Sequence, residues 1–515
     1  MESSTAISTA TQKLKLHFIM IPFLAPGHLL PMVDLARLLA RQNNVKVTII
    51  TTPLNAARLR QSIDREVQYC GSSPINVQHF RFPNVENGLP EECESLDTVP
   101  SRDLLFNFAI ATTMLQKPVE EVFDKLVSPS TPTCVIFDKQ LPFVADIAKK
   151  HKVPRTTFEC HNCFNLLCNH ILFNNPKVYE NVSETESLVV PGLPHMIVLK
   201  KCQLPEWFSI DNGEFSALSE KIMKAQEEAH GVILNSFEEL EEEYVKEYRR
   251  ITGGKLWCIG PVSLSNKDNL AKAQRGRAGS NEEEGQYLKW LDSWPARSVI
   301  YACLGSLNDA PPRQLMELGL GLEASKRPFI WVLRDSHKSD EMNKLLKENG
   351  LEERVKGRGL IVRGWVPQLL ILSHTATGSF LTHCGWNSTL EGICNGVPLV
   401  TFPLTAEQFY NEKVVVELLE IGVSVGVESN VHFGEENKYG VQMKRGKVKE
   451  AIEKVMGEED EESERIRERA RNYGEQANRA MEKGGSSYLN LSQLIEDITQ
   501  LVIRCRVEDD GEGEP

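Results

Sequence analysis

The stretch Gly378-Ser-Phe-Leu-Thr382, His383-Cys-Gly-Trp-Asn387 and Ser388–Cys394 constrains this chain more than any other. Its apolar run reads as a short strand, the residues around Cys384-Gly385 as a tight turn, and Ser388–Cys394 as a helix closed by Gly396. A strand that feeds straight into a helix belongs to a βαβ unit, and hence to a parallel sheet. The start of the chain repeats the pattern, with a strand at Leu16–Phe23, an amphipathic helix at His28–Arg41 and a second strand at Val45–Thr51. Further strands are predicted at Thr133–Phe137, Arg155–Phe158 and Gly231–Asn235. The alternation restarts with a strand at Ser298–Leu304, the turn Gly305-Ser306-Leu307, a helix from Pro312 to Ser325 and a strand at Pro328–Leu333.

At 515 residues the chain exceeds what one hydrophobic core serves, and 41% hydrophobic content suffices for two. The expected fold class is therefore α/β, as two facing, Rossmann-like doubly wound domains. The predicted boundaries are a flexible N-terminus (1–15), a first domain (16–261), a linker (262–297), a second domain (298–483), a last helix (484–503) and a disordered tail (504–515). Residues 262–285, rich in Lys, Asn, Arg and Gly, read as exposed.

Charge and composition exclude several functions. A net charge of −13 argues against nucleic-acid and acidic-membrane partners. No run of eighteen apolar residues is present, so no membrane span is expected, and the short Leu16–Phe23 run is too strand-like for a signal-peptide core. A cytoplasmic location follows as the expectation. The twelve Cys are scattered through apolar runs, as reduced thiols are. Cys160-His-Asn-Cys163, with Cys168 and His170, has metal-ligand residue types but no second CxxC pair, and reads as buried structural thiols. The Asn181, Asn387 and Asn490 sequons are inert without a secretory route. Gly319-Leu-Gly-Leu-Glu-Ala324 fails as a dinucleotide fingerprint because it lies inside a helix rather than between strand and helix.

Chemistry concentrates between Trp365 and Gln408, which brings aromatic, amide, His, Ser and carboxylate side chains to the strand-turn-helix unit. A helix start offers unpaired N–H groups and partial positive charge, so a phosphate binds there without a Lys or Arg cluster, and the segment contains none. Over its full length this segment resembles the signature box of plant UDP-sugar-dependent glycosyltransferases. The resemblance implies the GT-B fold, with a UDP-sugar-binding second domain, an acceptor-binding first domain and a final helix crossing back to the first. It implies that Trp365 stacks on uracil, Val366 offers backbone groups to the uracil edge, and Gln368 and Glu391 contact ribose. His383, Gly385, Asn387 and Ser388 would line the diphosphate with Ser306, and Trp386, Glu407 and Gln408 would face the sugar.

The catalytic groups are expected in the first half. His28 follows the first strand, at the crevice edge where such sheets bind ligands, and its place at a helix start predicts a neutral imidazole. Asp138 ends the apolar run Cys134–Phe137, also at a strand's C-terminal end. By resemblance, His28 is the general base, Asp138 fixes its tautomer, and the reaction is a single inverting displacement by an acceptor hydroxyl, with no cofactor and no metal. The partners so implied are a UDP-sugar, most simply UDP-glucose, and a small hydrophobic plant metabolite such as a flavonoid or triterpenoid, acting on a monomer. Lys139, Glu159-Cys160 and Thr405 depart from the usual pattern, near where the acceptor should sit.

Overall fold

The computed structural model describes residues 15–70, 75–127, 133–208, 213–276, 281–307, 310–334, 340–431, 440–458 and 460–511. The first half holds β1 (Leu16–Ile21), β2 (Val45–Thr51), β3 (Ile75–His79), β4 (Cys134–Asp138), β5 (Arg155–Glu159), the hairpin β6 (Ser187–Val189) and β7 (Val198–Lys200), then β8 (Gly231–Leu234) and β9 (Lys255–Cys258). Apart from the hairpin these strands form one seven-stranded parallel sheet, in the order β3-β2-β1-β4-β5-β8-β9. The second half contributes β10 (Val299–Cys303), β11 (Phe329–Leu333), β12 (Gly359–Arg363), β13 (Thr377–Thr382), β14 (Leu399–Thr401) and β15 (Gly422–Ser424). They form a six-stranded parallel sheet in the order β12-β11-β10-β13-β14-β15. The fold is thus α/β with two Rossmann-like units. Central strands such as Cys134–Asp138 and Phe329–Leu333 are buried throughout, as parallel strands covered by helices on both faces must be.

Strand order explains where a site can form. In the first sheet β1 lies between β2 and β4, and in the second β10 lies between β11 and β13. The order in which successive strands are added reverses at each of these points, which opens a crevice at the strands' C-terminal ends. Helix α1 (Pro26–Ala40) leaves the first crevice and α2 (Trp386–Cys394) the second. Both begin two residues earlier than the residue patterns suggested, at Pro26 rather than His28 and at Trp386 rather than Ser388. The Gly319 and Gly321 backbone packs so tightly against Trp331 and Val448 that a β-carbon would collide with either side chain; these glycines serve helix packing.

Two expectations are corrected. Residues 262–276 are not an exposed linker throughout: Val262–Ser265 forms a 3₁₀ turn, Asn269–Gln274 a helix, and Val262, Ser263, Asn266 and Ala271 are buried, while residues 267–270 are exposed. The reason is polar: Asn266 donates to Asp34 at 2.9 Å and accepts from Arg37 at 2.5 Å, tying the segment to α1. The last helix, α3 (Ser486–Gly511), runs past residue 503 into the expected disordered tail. Its Leu491, Leu494 and Ile498 join the core of the first unit, and Asp497 accepts from Trp257 Nε1 at 3.1 Å and pairs with Lys255 at 2.6 Å. Residues 1–14 of the expected flexible N-terminus (1–15) and positions 512–515 lie outside the described residues.

Candidate functional site

Adjacent strands bring the two expected catalytic residues together. Ile21 pairs with Phe137 in the β1/β4 ladder, so the segment leaving β1 and the last residue of β4 emerge side by side. His28, in the first turn of α1, places Nδ1 2.8 Å from Asp138 Oδ2, and the two side chains are 18% and 1% exposed. Asp138 is further anchored by the Gln140 backbone N–H, which donates to Oδ1 at 3.0 Å. Phe23 lies edge-on to the imidazole with ring centroids 5.3 Å apart, giving the crevice an apolar wall beside a proton acceptor.

A third group was missed by the residue pattern. Cys160 Sγ lies 3.3 Å from His28 Nδ1 and 3.9 Å from Nε2. The helix-start argument for a neutral His28 fails against these neighbours. Burial opposes the imidazolium, but Asp138 and then Cys160 outweigh it and hold the His28 pKa well above its ordinary value. Burial likewise opposes the Cys160 thiolate, and His28 and His161 draw its pKa below that of a free thiol. Cys163 and Cys168 behave as structural thiols, pushed far up by burial. The signal available in the sequence was the departure at Glu159-Cys160, directly after β5 and beside β4.

That departure also reorganises charge. Lys139 and Glu159 form a buried ion pair, Glu159 Oε1 lies 2.5 Å from His161 Nδ1, and His161 Nε2 lies 3.6 Å from Glu407 Oε2 on the second unit. Burial disfavours Glu407's charge, but His161 outweighs it and lowers the carboxyl's pKa. Thr405, the third departure, donates its hydroxyl to Glu206 at 3.1 Å.

The second crevice is built the same way. Cys303 pairs with Thr382, so Gly305 after β10 meets His383 after β13. Gly305 has φ +80° and its backbone packs on the His383 ring; a β-carbon would both strain the turn and strike the imidazole. His383 is buried, and desolvation lowers its pKa to about 4, so it is a neutral ring. Arg334, at the end of β11, acts electrostatically on both His383 and Cys303. A cation thus stands near His383 that the Trp365–Gln408 segment alone did not reveal. Ser306 is exposed on the same turn, and Trp365 is half-buried at the end of β12, followed by buried Val366.

Helix α2 starts on Gly385, with no side chain capping its first N–H groups. Gln368 donates from Nε2 to Ser388 Oγ at 3.1 Å and to Glu391 Oε2 at 2.8 Å, drawing these three expected nucleotide contacts into one cluster. Arg275, from the tucked segment, donates to Glu391 Oε1 at 2.5 Å and to Asp34 at 2.7 Å, a buried bridge that the sequence did not announce. The two crevices touch here: Asn387 Nδ2 donates to the Gly27 carbonyl at 2.5 Å, so the start of α2 stands directly behind His28's loop. The Trp386 indole is 2% exposed and donates to the Asn235 carbonyl at 2.8 Å, so it is packed into the interface and does not line an open surface. Gln408 is buried, with its carbonyl accepting from the Leu404 and Thr405 backbone at 2.8 and 3.1 Å. Glu407, by contrast, is half-buried at the end of the following loop.

Known proteins resemble this chain in sequence and fold. A family described as "Glycosyltransferase, N-terminal domain" matches residues 15–264, and one described as "UDP-glucoronosyl and UDP-glucosyl transferase" matches residues 280–432. UDP-glycosyltransferase 73C12 of Barbarea vulgaris is 47% identical over 487 residues, covering 94% of this chain and 97% of its own. UDP-glycosyltransferase 73C3 of Arabidopsis thaliana is 46% identical over the same shares. The crystal structure of Glycyrrhiza uralensis UGT73P12 with glycyrrhetinic acid 3-O-monoglucuronide superposes with a TM-score of 0.88 at 35% identity, over 96% of this chain and 98% of that one.

Proposed function

The chain belongs to the plant UDP-glycosyltransferase family, and from that membership we propose that it transfers glucose from UDP-glucose to a hydroxyl of a small hydrophobic metabolite, with inversion. The observation that carries the mechanism is the 2.8 Å contact between His28 Nδ1 and buried Asp138. Above its raised pKa His28 is neutral, and with its Nδ1–H donated to the carboxylate it keeps a lone pair on Nε2, the tautomer that accepts a proton from an acceptor hydroxyl. As the proton arrives, the imidazolium is stabilised by Asp138, the hydroxyl oxygen attacks the anomeric carbon, and UDP leaves from the opposite face.

The leaving diphosphate gathers negative charge. In this reading it is met by the uncapped N–H groups of α2, the Gly385, Asn387 and Ser388 region, neutral His383 and Ser306, so no metal is required of the step. Trp365 and Val366 take the uracil, Gln368 and Glu391 the ribose diol, and Glu407 with Gln408 the sugar hydroxyls. The Arg275 bridge to Glu391 fixes that carboxylate's rotamer and leaves its remaining lone pairs for hydroxyl donors. Trp386 enters through its backbone at the helix start, since its indole is committed elsewhere. Among the described residues no helix is long and apolar enough to cross a membrane.

An apolar acceptor suits the Phe23 wall beside His28, and UGT73P12 is a relative whose structure holds a glycosylated triterpenoid acid. The test is a donor competition with triterpenoid and flavonoid aglycones, read by mass spectrometry. UDP-glucose should exceed UDP-galactose and UDP-glucuronate in kcat/KM by at least about tenfold, or roughly 1.4 kcal/mol, which one hydroxyl hydrogen bond supplies. A glucuronide as main product would overturn this donor assignment.

A further inference from the structure

The base shares its Nδ1 side with two other metal-ligating atoms. One atom each of His28, Asp138 and Cys160 lies within 4.8 Å of the others, and Glu159, Cys160 and His161 form a second, overlapping triplet. The distances are 2.8 Å for Nδ1 to Oδ2 and 3.3 Å for Nδ1 to Sγ. Tetrahedral zinc, with bonds of about 2.0–2.1 Å to N and O and about 2.3 Å to S, separates an N/O pair by about 3.3 Å and an N/S pair by about 3.6 Å. These two pairs need to open by only a few tenths of an ångström to hold such an ion, and the third, Sγ to the Asp138 carboxylate, lies within 4.8 Å. Cys160 Sγ also lies 3.9 Å from His161 Nδ1, so the fourth position falls to His161 or to water.

We propose that His28 Nδ1, Asp138 Oδ2 and Cys160 Sγ form a binding site for zinc or a similar thiophilic divalent cation, and that its occupancy turns the base off. The donor set is one thiolate, one imidazole and one carboxylate, which selects zinc-like ions over magnesium or calcium. Beside the site Glu159 is paired with Lys139 and His161, and Glu407 stands beyond His161. Binding displaces the Cys160 thiol proton and the His28 Nδ1 proton, and neutral imidazole ligated through Nδ1 keeps its only proton on Nε2. That is the tautomer unable to accept a proton from an acceptor hydroxyl. The ion therefore inhibits by inverting the tautomer that Asp138 otherwise enforces, and the site is a regulatory one, separate from UDP-sugar binding.

The inhibitory half of this inference rests on His28 being the base, whereas the binding half does not. Chelator-treated protein is titrated with cobalt(II), following thiolate-to-metal charge transfer in the near ultraviolet, and with zinc by calorimetry. One equivalent should bind, and Cys160→Ser and Cys160→Ala should each abolish the charge-transfer band, while Cys163→Ser retains it. Loss of an outer-shell partner alone weakens a metal site 10–100-fold, so loss of the thiolate should raise the zinc concentration that halves each variant's own zinc-free rate by at least about tenfold. Absence of the band in folded wild-type protein, or an unchanged band in the folded Cys160 variants, would overturn the site. Cobalt binding with no glycosyl transfer under any condition would leave the site standing and count against the functional reading alone.

Discussion

Replacing Asp138 by Asn removes one charge from a buried pair while preserving shape. Two unit charges 2.8 Å apart interact by about 6 kcal/mol at an effective dielectric near 20, an upper bound before solvation is counted. A hydrogen bond to a charged group is worth about 1.5–3 kcal/mol net, or roughly one to two decades in rate. A tautomer cost adds to it: an Asn carboxamide that donates to Nδ1 forces the proton onto Nε2 and blocks the base. Together they predict a kcat about 10²–10⁴-fold lower in Asp138→Asn, with KM for the UDP-sugar changed by less than about threefold. The pH profile supplies an independent readout. Asp138 raises the His28 pKa, so in wild type the base is lost as pH falls through a value above 6.5, and removing the carboxylate must move this acidic limb to lower pH. Steady-state kinetics across pH on both proteins decides the matter. A variant with near-wild-type kcat and an unmoved limb would refute the dyad.

Trp365→Ala should weaken UDP binding by about 1–3 kcal/mol, the worth of stacking one base on an aromatic face, with kcat at saturation nearly preserved; calorimetry with UDP checks it, and unchanged affinity removes Trp365 from the uracil site. Dialysis against EDTA should leave full activity, because helix N–H groups and neutral donors meet the leaving diphosphate; restoration of a lost rate by magnesium would contradict that account.

The two sheets were legible because their strands are short apolar runs followed by helix-forming segments: Phe329–Leu333 matched within a residue, and His28 and Asp138 were readable as groups at strand ends. What escaped depended on long-range pairing. Arg275 reaches Glu391 across 116 positions and Cys160 reaches His28 across 132, and no local periodicity encodes such meetings. Composition misled twice: a Lys- and Gly-rich segment became partly buried once Asn266 and Arg275 found partners, and the polar end of α3 remained helical to Gly511. The neutral His28 expected from the helix dipole lost to a carboxylate in direct contact, a stronger and closer field.

The most direct test of the central claim pairs transfer with binding in His28→Ala. With UDP-glucose and an accepted aglycone, the variant should lose turnover by about 10²–10⁴-fold while binding UDP as wild type does by calorimetry. Near-wild-type product formation would contradict the account and place the base elsewhere.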